Sequence, residues 1–297
     1  MTPGNPTARA QIVALSLIPG LGGKTLDRLV AHFGAVDAVL QASERDLIAV
    51  PRIGPRLAAA IRAVDLARTC AEIDRWQAAG IVLLLREDAA YPAALKLLAD
   101  APPVLFWRGN PPPLPDAPAV AVVGTRQPGP QARDLAQTLA AEIAAQGGIV
   151  VSGLAAGIDT AAHQVALRAG GITLAVLGCG VRVPYPPDNR PLAHQIAAHG
   201  GLLAEVHPDA GPNSAALVAR NRLISGLSRA VIVVEAGATS GSLHASRFAL
   251  SQGRSVYALD SDSAGNRLLL NAGAQPLPLE PSRLKQRIKE LLTGDPL

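Results

Sequence analysis

The sequence predicts an α/β protein, a doubly wound and mostly parallel sheet preceded by a small all-helical domain. Three observations carry that expectation. From Ala119 onward, short runs rich in Val, Ile, Leu and Ala alternate with helical stretches. These runs lack the in–out alternation of a half-solvated strand, as strands covered on both faces should. Residues 8–70, by contrast, are helical in pattern and interrupted only by two short turns.

Taken in order, a helical domain is expected over residues 1–70 and the sheet domain over 71–297, ending in a short C-terminal tail. Within the latter, a mixed segment leads to the proline-rich stretch Pro111–Pro118, read as a linker. Strands are expected at Ala119–Val123, Ile149–Val151, Thr173–Leu177, Gly201–Glu205, Ala230–Glu235 and Ser255–Leu259. Helices are expected at 131–146, 159–169, 190–199, 215–228 and 242–252. Strand–helix alternation with short turns requires crossovers of one hand and builds a parallel sheet with helices on both faces.

Composition narrows the function. With 49% hydrophobic and 17% charged residues, the 297-residue chain is globular rather than disordered. It has no apolar run of the ~20 residues a membrane helix needs. The N-terminal MTPGNPTARA lacks the apolar core of a secretion signal, so a cytoplasmic location is expected. Cys70 and Cys179 suit neither a disulfide framework nor a zinc site, and the six histidines show no ligand spacing, so no metal is expected. A net charge of +4 suits a polyanionic partner. Aromatic residues make up only 3%, so a protein of this composition would hold single strands through backbone amides and arginines more than through stacking.

In doubly wound sheets ligands bind beyond the carboxyl ends of the strands. The residues following the predicted strands are Gly124-Thr125-Arg126, then Ser152-Gly153-Leu154-Ala155-Ala156-Gly157-Ile158-Asp159 with His163, then Gly178-Cys179-Gly180 followed by Tyr185-Pro186. After the fifth strand comes Glu235-Ala236-Gly237-Ala238-Thr239-Ser240-Gly241-Ser242. Glycines let backbone N–H groups approach an anion, and helix N-termini add partial positive charge. Ser152, Ser240 and Ser242 offer hydroxyl donors, Arg126 offers a bidentate phosphate partner, and Arg220-Asn221-Arg222 reads as an anion clamp. Arg182, Arg190, Arg247, Arg254 and Arg267 are further basic candidates.

Catalytic readings find less support. Asp159 and His163 lie four residues apart and read as a helix-capping acid with a structural histidine. Glu235 could serve as a general base but has no partner acid. Gly20–Thr25 ends like a phosphate-binding P-loop, yet Ile18 holds the position of its first glycine. Gly178-Cys179-Gly180 opens like a dinucleotide fingerprint, yet Val183 replaces the third glycine. Neither a catalytic residue nor a cofactor is therefore expected.

The ordered motifs Val-Gly-Thr-Arg (123–126), Ser-Gly-Leu-Ala-Ala-Gly-Ile-Asp (152–159) with His163, Ala-Val-Leu-Gly-Cys-Gly (175–180), Tyr185-Pro186, and Arg220 through Ser228 resemble the DprA/Smf family. So do Val234-Glu235-Ala236, Ser240-Gly241-Ser242, Gly253-Arg254 and Gly273-Ala274. The resemblance spans roughly residues 71–280. It implies an extended Rossmann-like domain that binds and protects single-stranded DNA without sequence preference, forms a homodimer, and loads a RecA-type recombinase during natural transformation. Carried over by motif, the DNA site would use Gly124, Thr125, Arg126, Ser152, Gly153, Gly157, Arg220, Asn221, Arg222, Ser240, Gly241 and Ser242. Three positions depart from the pattern: Ala156 where relatives often carry a basic residue, Val218-Ala219 where they tend to show Phe-Pro, and Leu259-Asp260-Ser261-Asp262 in place of a Pro-Gly turn. Each implies weaker or differently shaped DNA binding. The chain also ends soon after Leu292, where many relatives carry a small further domain.

Ile18-Pro19-Gly20-Leu21-Gly22 and Val50-Pro51-Arg52-Ile53-Gly54 precede helical runs at nearly equal spacing, which resembles a tandem helix-hairpin-helix or SAM-like module. Gly20, Gly22, Lys24, Arg52, Gly54 and Arg56 are its candidate DNA contacts, with Arg52 standing where a glycine is usual. The competing reading is a helical bundle for protein contacts or dimerisation. Two other functions remain for the whole chain. One is a phosphoribohydrolase acting on nucleoside monophosphates, although Glu235–Gly241 lacks that family's Gly-Gly pair and downstream glutamate. The other is an interaction scaffold.

Overall fold

The computed structural model describes residues 6–109 and 117–294, and divides into two compact units, Met1–Phe106 and Trp107–Leu297. The expected linker Pro111–Pro118 lies, apart from its last two residues, outside the described residues. The division does not fall at residue 70. Helix α6 runs unbroken through that position, from an Asp65 cap that accepts the Arg68 N–H (2.9 Å) to Ala78.

The first unit opens with six helices, α1 (Pro6–Ser16), α2 (Gly23–Phe33), α3 (Val36–Gln41), α4 (Glu44–Ala49), α5 (Pro55–Arg62) and α6 (Leu66–Ala78). β1 (Val82–Leu85) and α7 (Ala93–Lys96) follow, then β2 (Val104–Gly109), which crosses the division. The sequence pattern foretold none of these last three elements.

The two glycine turns fold alike. The Leu21 N–H donates to Ile18 O (3.0 Å) and the Ile53 N–H to Val50 O (3.1 Å). Leu21 and Ile53 are buried, and each turn leads into a helix whose N-cap, Gly22 or Gly54, has no side-chain partner. Gly20 and Arg52 occupy the equivalent left-handed position, at φ +89° and +71°. An arginine there is strained where glycine is not. Lys24, Arg52 and Arg56 are all exposed.

The second unit is a parallel sheet. Its strands are β3 (Ala119–Val123), β4 (Ile149–Ser152), β5 (Thr173–Leu177), β6 (Gly201–Ala204), β7 (Ala230–Val233), β8 (Ser255–Ala258) and β9 (Gln275–Pro276), in the spatial order β6-β5-β4-β3-β7-β8-β9. Every pairing in this series is parallel, with Val120 opposite Val150 on one side and Ala230 on the other. The helices are α8 (Pro130–Ala145), α9 (Ile158–Arg168), α10 (Arg190–His199), α11 (Ser214–Ala219), α12 (Asn221–Leu227), α13 (Ser242–Ser251), α14 (Ala264–Asn271) and α15 (Pro281–Thr293).

The six expected strands occur within one or two residues of their expected bounds. The single helix expected over 215–228 is two, α11 and α12, broken at Arg220. Side chains alternate across a strand, so Val120, Val122, Val150 and Ile232 meet α8, α9 and α15 on one face. On the other face α12 packs against β3, β4 and β5, and α13 against β7 and β8. Burial on both faces is why these strands read as continuous apolar runs.

The order of the strands locates the site. β4, β5 and β6 succeed β3 in one direction, while β7, β8 and β9 lie on its other side. The chain reverses between β3 and β7, and the crevice beyond the carboxyl ends of strands at such a reversal is where doubly wound sheets bind ligands.

Candidate functional site

A cleft of about 200 Å³ opens at this reversal. Its walls are Val123, Gly124 and Arg126 after β3, Ala155 and Asp159 after β4, Ser214, Leu217 and Val218 of α11, Arg220, Asn221 and Ile224, and Ser240-Gly241-Ser242 at the start of α13. Arg126 is exposed and makes no hydrogen bond or ion pair among the described residues. Facing the same space is the N-terminus of the ten-residue α13, where the Ser240 and Ser242 hydroxyls lie 2.8 Å apart. Asn221 is 6% exposed and donates through Nδ2 to Gly241 O (3.3 Å), which ties α12 to that terminus. A free cation facing a helix N-terminus and two hydroxyls is an arrangement for an anion.

The Arg-Asn-Arg run is not a clamp. Arg220 is 8% exposed, and its Nη1 donates to Gly153 O (2.5 Å) and to Val176 O, joining the ends of β4 and β5. Its Nε is buried without a partner. Arg222 lies on the far side of α12 in an ion pair with Glu205 and does not line the cleft. Residues two apart on a helix point in roughly opposite directions, so a sequence triplet cannot converge on one anion.

The turn after β4 is also closed. Ser152 is fully buried and its hydroxyl donates to Val122 O (2.7 Å). A Cβ on Gly153 would overlap the Arg220 guanidinium, and one on Gly157 (φ +83°) would strike Thr125 O and Arg126 backbone. These glycines are required for packing rather than for approach to a ligand. Leu154 takes a left-handed conformation, φ +61°, with nothing in the sequence to announce it. The Gly153 and Ala155 amides on either side of it both donate to Asp159 Oδ2, at 3.1 and 3.2 Å. The turn is held from outside by Asn189, whose Nδ2 donates to Leu154 O (2.8 Å).

Asp159 is thus an internal carboxyl filling a backbone nest, and not the cap of α9; the N-cap is Gly157. It is 5% exposed, and burial pushes its carboxyl pKa up against the opposing charge of Arg220. Burial likewise pushes the Arg220 guanidinium pKa down, with Asp159 opposing.

His163 is structural. Thr173 Oγ1 donates to Val150 O (2.9 Å), so its proton is committed and His163 Nδ1 supplies the proton of their 2.7 Å contact. Nε2 is buried with no partner. Burial first, then the charge of Arg220, lowers the His163 pKa to about 3. Below a pH of about 6.5 the unfolded chain binds a proton that the folded one refuses. Stability is therefore expected to fall by about 1.4 kcal/mol per pH unit from this group as pH drops from ~6.5 towards 3, and to be untouched by it above 7. Urea unfolding at pH 7.5 and 5.5 checks this. His163→Asn, which keeps a donor for Thr173, should lose less on acidification than the native chain.

Other expected contacts lie elsewhere. The Gly178-Cys179-Gly180 turn does not line the cleft; a Cβ on Gly178 would meet the Leu217 backbone of α11. Ala156 is exposed outside the cleft, and Asp262 is drawn to Arg267 (3.8 Å). Arg182 pairs with Asp209 (3.1 Å), and neither it nor Arg190, Arg247, Arg254 or Arg267 lines the cleft. Ser214 and Leu217 do, and escaped the sequence reading. The Asn213 side chain that caps α11 by accepting the Ala216 N–H (2.8 Å) was the signal available for them. Among the described residues no group of His, Cys, Asp and Glu could hold a metal ion, and no helix is long and apolar enough to cross a membrane.

A family model described as DNA recombination-mediator protein A matches residues 82–289, and one described as a helix-hairpin-helix motif matches residues 11–65. The chain belongs to the DNA recombination-mediator protein A family. Within that family it is similar to Protein Smf of Synechocystis sp., 35% identical over 255 residues, which covers 84% of this chain and 64% of the relative, just under two thirds. DNA processing protein DprA of Bacillus subtilis is 37% identical over 203 residues, 67% of this chain and 68% of its own length. The X-ray structure of DNA processing protein A from Streptococcus pneumoniae superposes with a TM-score of 0.76 at 31% identity, over 91% of this chain and 94% of that one. A structure addressing the single-stranded DNA binding mode of the Helicobacter pylori protein superposes at 0.64 with 32% identity, over 71% of this chain and 96% of that one. The DprA/Smf membership and the extended Rossmann-like α/β fold with a helical N-terminal region, both expected from the motifs, therefore hold.

Proposed function

We propose that this chain binds single-stranded DNA through its phosphates, without sequence preference, in the cleft between β3 and β7. One observation carries the reading: the unpartnered Arg126 shares a cleft with the α13 N-terminus and its two serines. Backbone amides, hydroxyls and a guanidinium recognise phosphate and not base edges, so binding is sequence-independent. The working site is Gly124, Thr125, Arg126, Asn221, Ser240, Gly241 and Ser242, with Arg220, Ser152, Gly153 and Gly157 building its frame. The Helicobacter pylori relative, whose structure addresses a single-stranded DNA binding mode, supports the choice of ligand.

Family membership supports protection of the bound strand and its delivery to a RecA-type recombinase in the cytoplasm, with no catalytic step of the protein's own. Homodimerisation has apolar surface available in Leu250, Leu268 and Leu279 of the second unit, each exposed. The helical segment before residue 71 forms a second contact in this reading. Its open hairpins, with Gly20, Gly22, Lys24, Arg52, Gly54 and Arg56 exposed, offer amides and cations to a phosphate backbone.

Fluorescence anisotropy of labelled oligo-dT and its duplex counterpart across a salt series tests the proposal. Tight single-strand binding is expected, with log K falling at about 0.7 per phosphate neutralised for each unit of log[salt]. No single-strand binding at low salt would overturn it. Release of adenine from AMP would instead favour the phosphoribohydrolase.

A further inference from the structure

Glu235 is an acid next to the proposed anion site, between β7 and α13, although it does not itself line the cleft. It lies two residues beyond the end of β7, is half-buried, and belongs to no ion pair among the described residues. A carboxylate beside a phosphate site weakens binding by like-charge repulsion, so its presence needs a reason.

Its contacts supply one. The Glu235 carbonyl accepts the Thr125 N–H at 2.7 Å, and its Oε2 accepts the Gly129 N–H at 3.1 Å. These two amides bracket the loop that carries Arg126. Inside it, the Gln127 N–H donates to Thr125 Oγ1 (3.2 Å), and from α9 the Ile158 N–H donates to Thr125 O (3.2 Å). Among the described residues, Glu235 is the only side chain from outside residues 124–129 that hydrogen-bonds this loop.

Among the described residues, no hydrogen bond reaches the Arg126 side chain itself. Arg126, Gln127 and Gly129 are all exposed. Gly129 is also the N-cap of the sixteen-residue α8 and has no side chain to cap it. The Glu235 carboxylate, from beyond β7, accepts the N–H of that N-cap residue, where the helix dipole favours a negative charge. Bonding to Gly129 therefore commits the carboxylate to the start of α8, outside the cleft lining.

We propose that Glu235 is a positioning residue: by pinning the Gly129 amide it sets the direction from which Arg126 enters the cleft, without touching DNA. The proposal rests on the reading of the cleft as a single-strand site.

Two substitutions separate hydrogen bond from charge. Glu235→Gln keeps an acceptor for Gly129 and removes the negative charge; Glu235→Ala removes both. The alanine variant is expected to bind oligo-dT about tenfold more weakly, the usual scale for losing a hydrogen bond to a charged group. The glutamine variant is expected to bind at least as tightly as the native chain. Both should melt within about 3 °C of it, since one capping interaction is at stake. The double variant Glu235→Ala, Arg126→Ala should bind no more weakly than Arg126→Ala alone, because the two changes disable one device.

Equal losses in the glutamine and alanine variants would overturn the proposal, since the charge and not the bond would then matter. So would losses of Glu235→Ala and Arg126→Ala that add, unchanged affinity in Glu235→Ala, or a melting point lowered by clearly more than about 3 °C in both Glu235 variants. Amide exchange at Gly129 in the DNA-free protein gives a readout independent of binding. Protection is expected in the native and glutamine chains and its loss in the alanine chain. If the native chain binds no single strand while that pattern holds, the function reading fails and the loop anchor stands. If Gly129 exchanges freely in the native chain, the anchor fails whatever DNA does.

Discussion

Arg220→Met is expected to lower the thermal unfolding midpoint by on the order of 10 °C, while Arg220→Lys recovers only part of the loss. The guanidinium bridges Gly153 O and Val176 O at the ends of two neighbouring strands and opposes the buried Asp159 carboxylate. Methionine fills the volume but leaves two carbonyls without their donor and an acid without its counter-charge. Leaving a buried polar group unsatisfied costs about 1–3 kcal/mol, so two carbonyls together are a large share of the roughly 5–15 kcal/mol by which domains are stable. A lysine keeps the charge but cannot span two carbonyls with a planar fork. Adding Asp159→Asn to Arg220→Met should restore part of the stability, because the orphaned charge is then gone. Calorimetry of the four chains measures this. An Arg220→Met protein that melts like the native one yet fails to bind DNA would show that Arg220 contacts the strand directly.

Arg126→Ala is expected to do the opposite, leaving the melting point within about 1 °C and weakening oligo-dT binding by roughly 10- to 100-fold. Arg126 is exposed and bonded to nothing among the described residues, so its loss costs the fold little. It is also, among the described residues, the one exposed cation in the cleft lining. The salt slope should shrink by about 0.7, the contribution of one phosphate on a single strand. Arg126→Lys should keep the slope but not the full affinity, since an ammonium supplies charge without the bidentate fork. Titrations at three or more salt concentrations decide it; unchanged affinity and slope in Arg126→Ala would remove the cleft from consideration as the binding site.

The two arginines illustrate how far the sequence could be followed. Both stood in recognised motifs, Arg126 after a glycine turn and Arg220 between apolar runs, and both read as phosphate ligands. Only burial separates them, and burial depends on what packs above each residue. The α11–α12 break places Arg220 under α11 and over the ends of β4 and β5, whereas Arg126 lies on a loop that nothing covers. Ser152 and Ser242 divide in the same way: one hydroxyl is spent on Val122 O inside the sheet, the other stands at a helix terminus in the cleft.

The strands β3 to β8 and their parallel pairing were determined by the sequence alone, whereas β1, β2 and the two-residue β9 left no legible pattern. Periodicity and strand-to-helix alternation are local properties, and a sheet buried on both faces leaves a run of Val, Ile and Leu wherever it passes. The ordered motifs also sufficed for the family. What only the tertiary structure decided was the direction of each side chain at that edge. The left-handed Leu154, the carboxylate of Asp159 turned inward to two amides, the pairing of Arg222 with Glu205 and the tether from Glu235 to Gly129 join residues up to 106 positions apart. Such contacts are set by how helices settle on the finished sheet, and no pattern within a single segment encodes them.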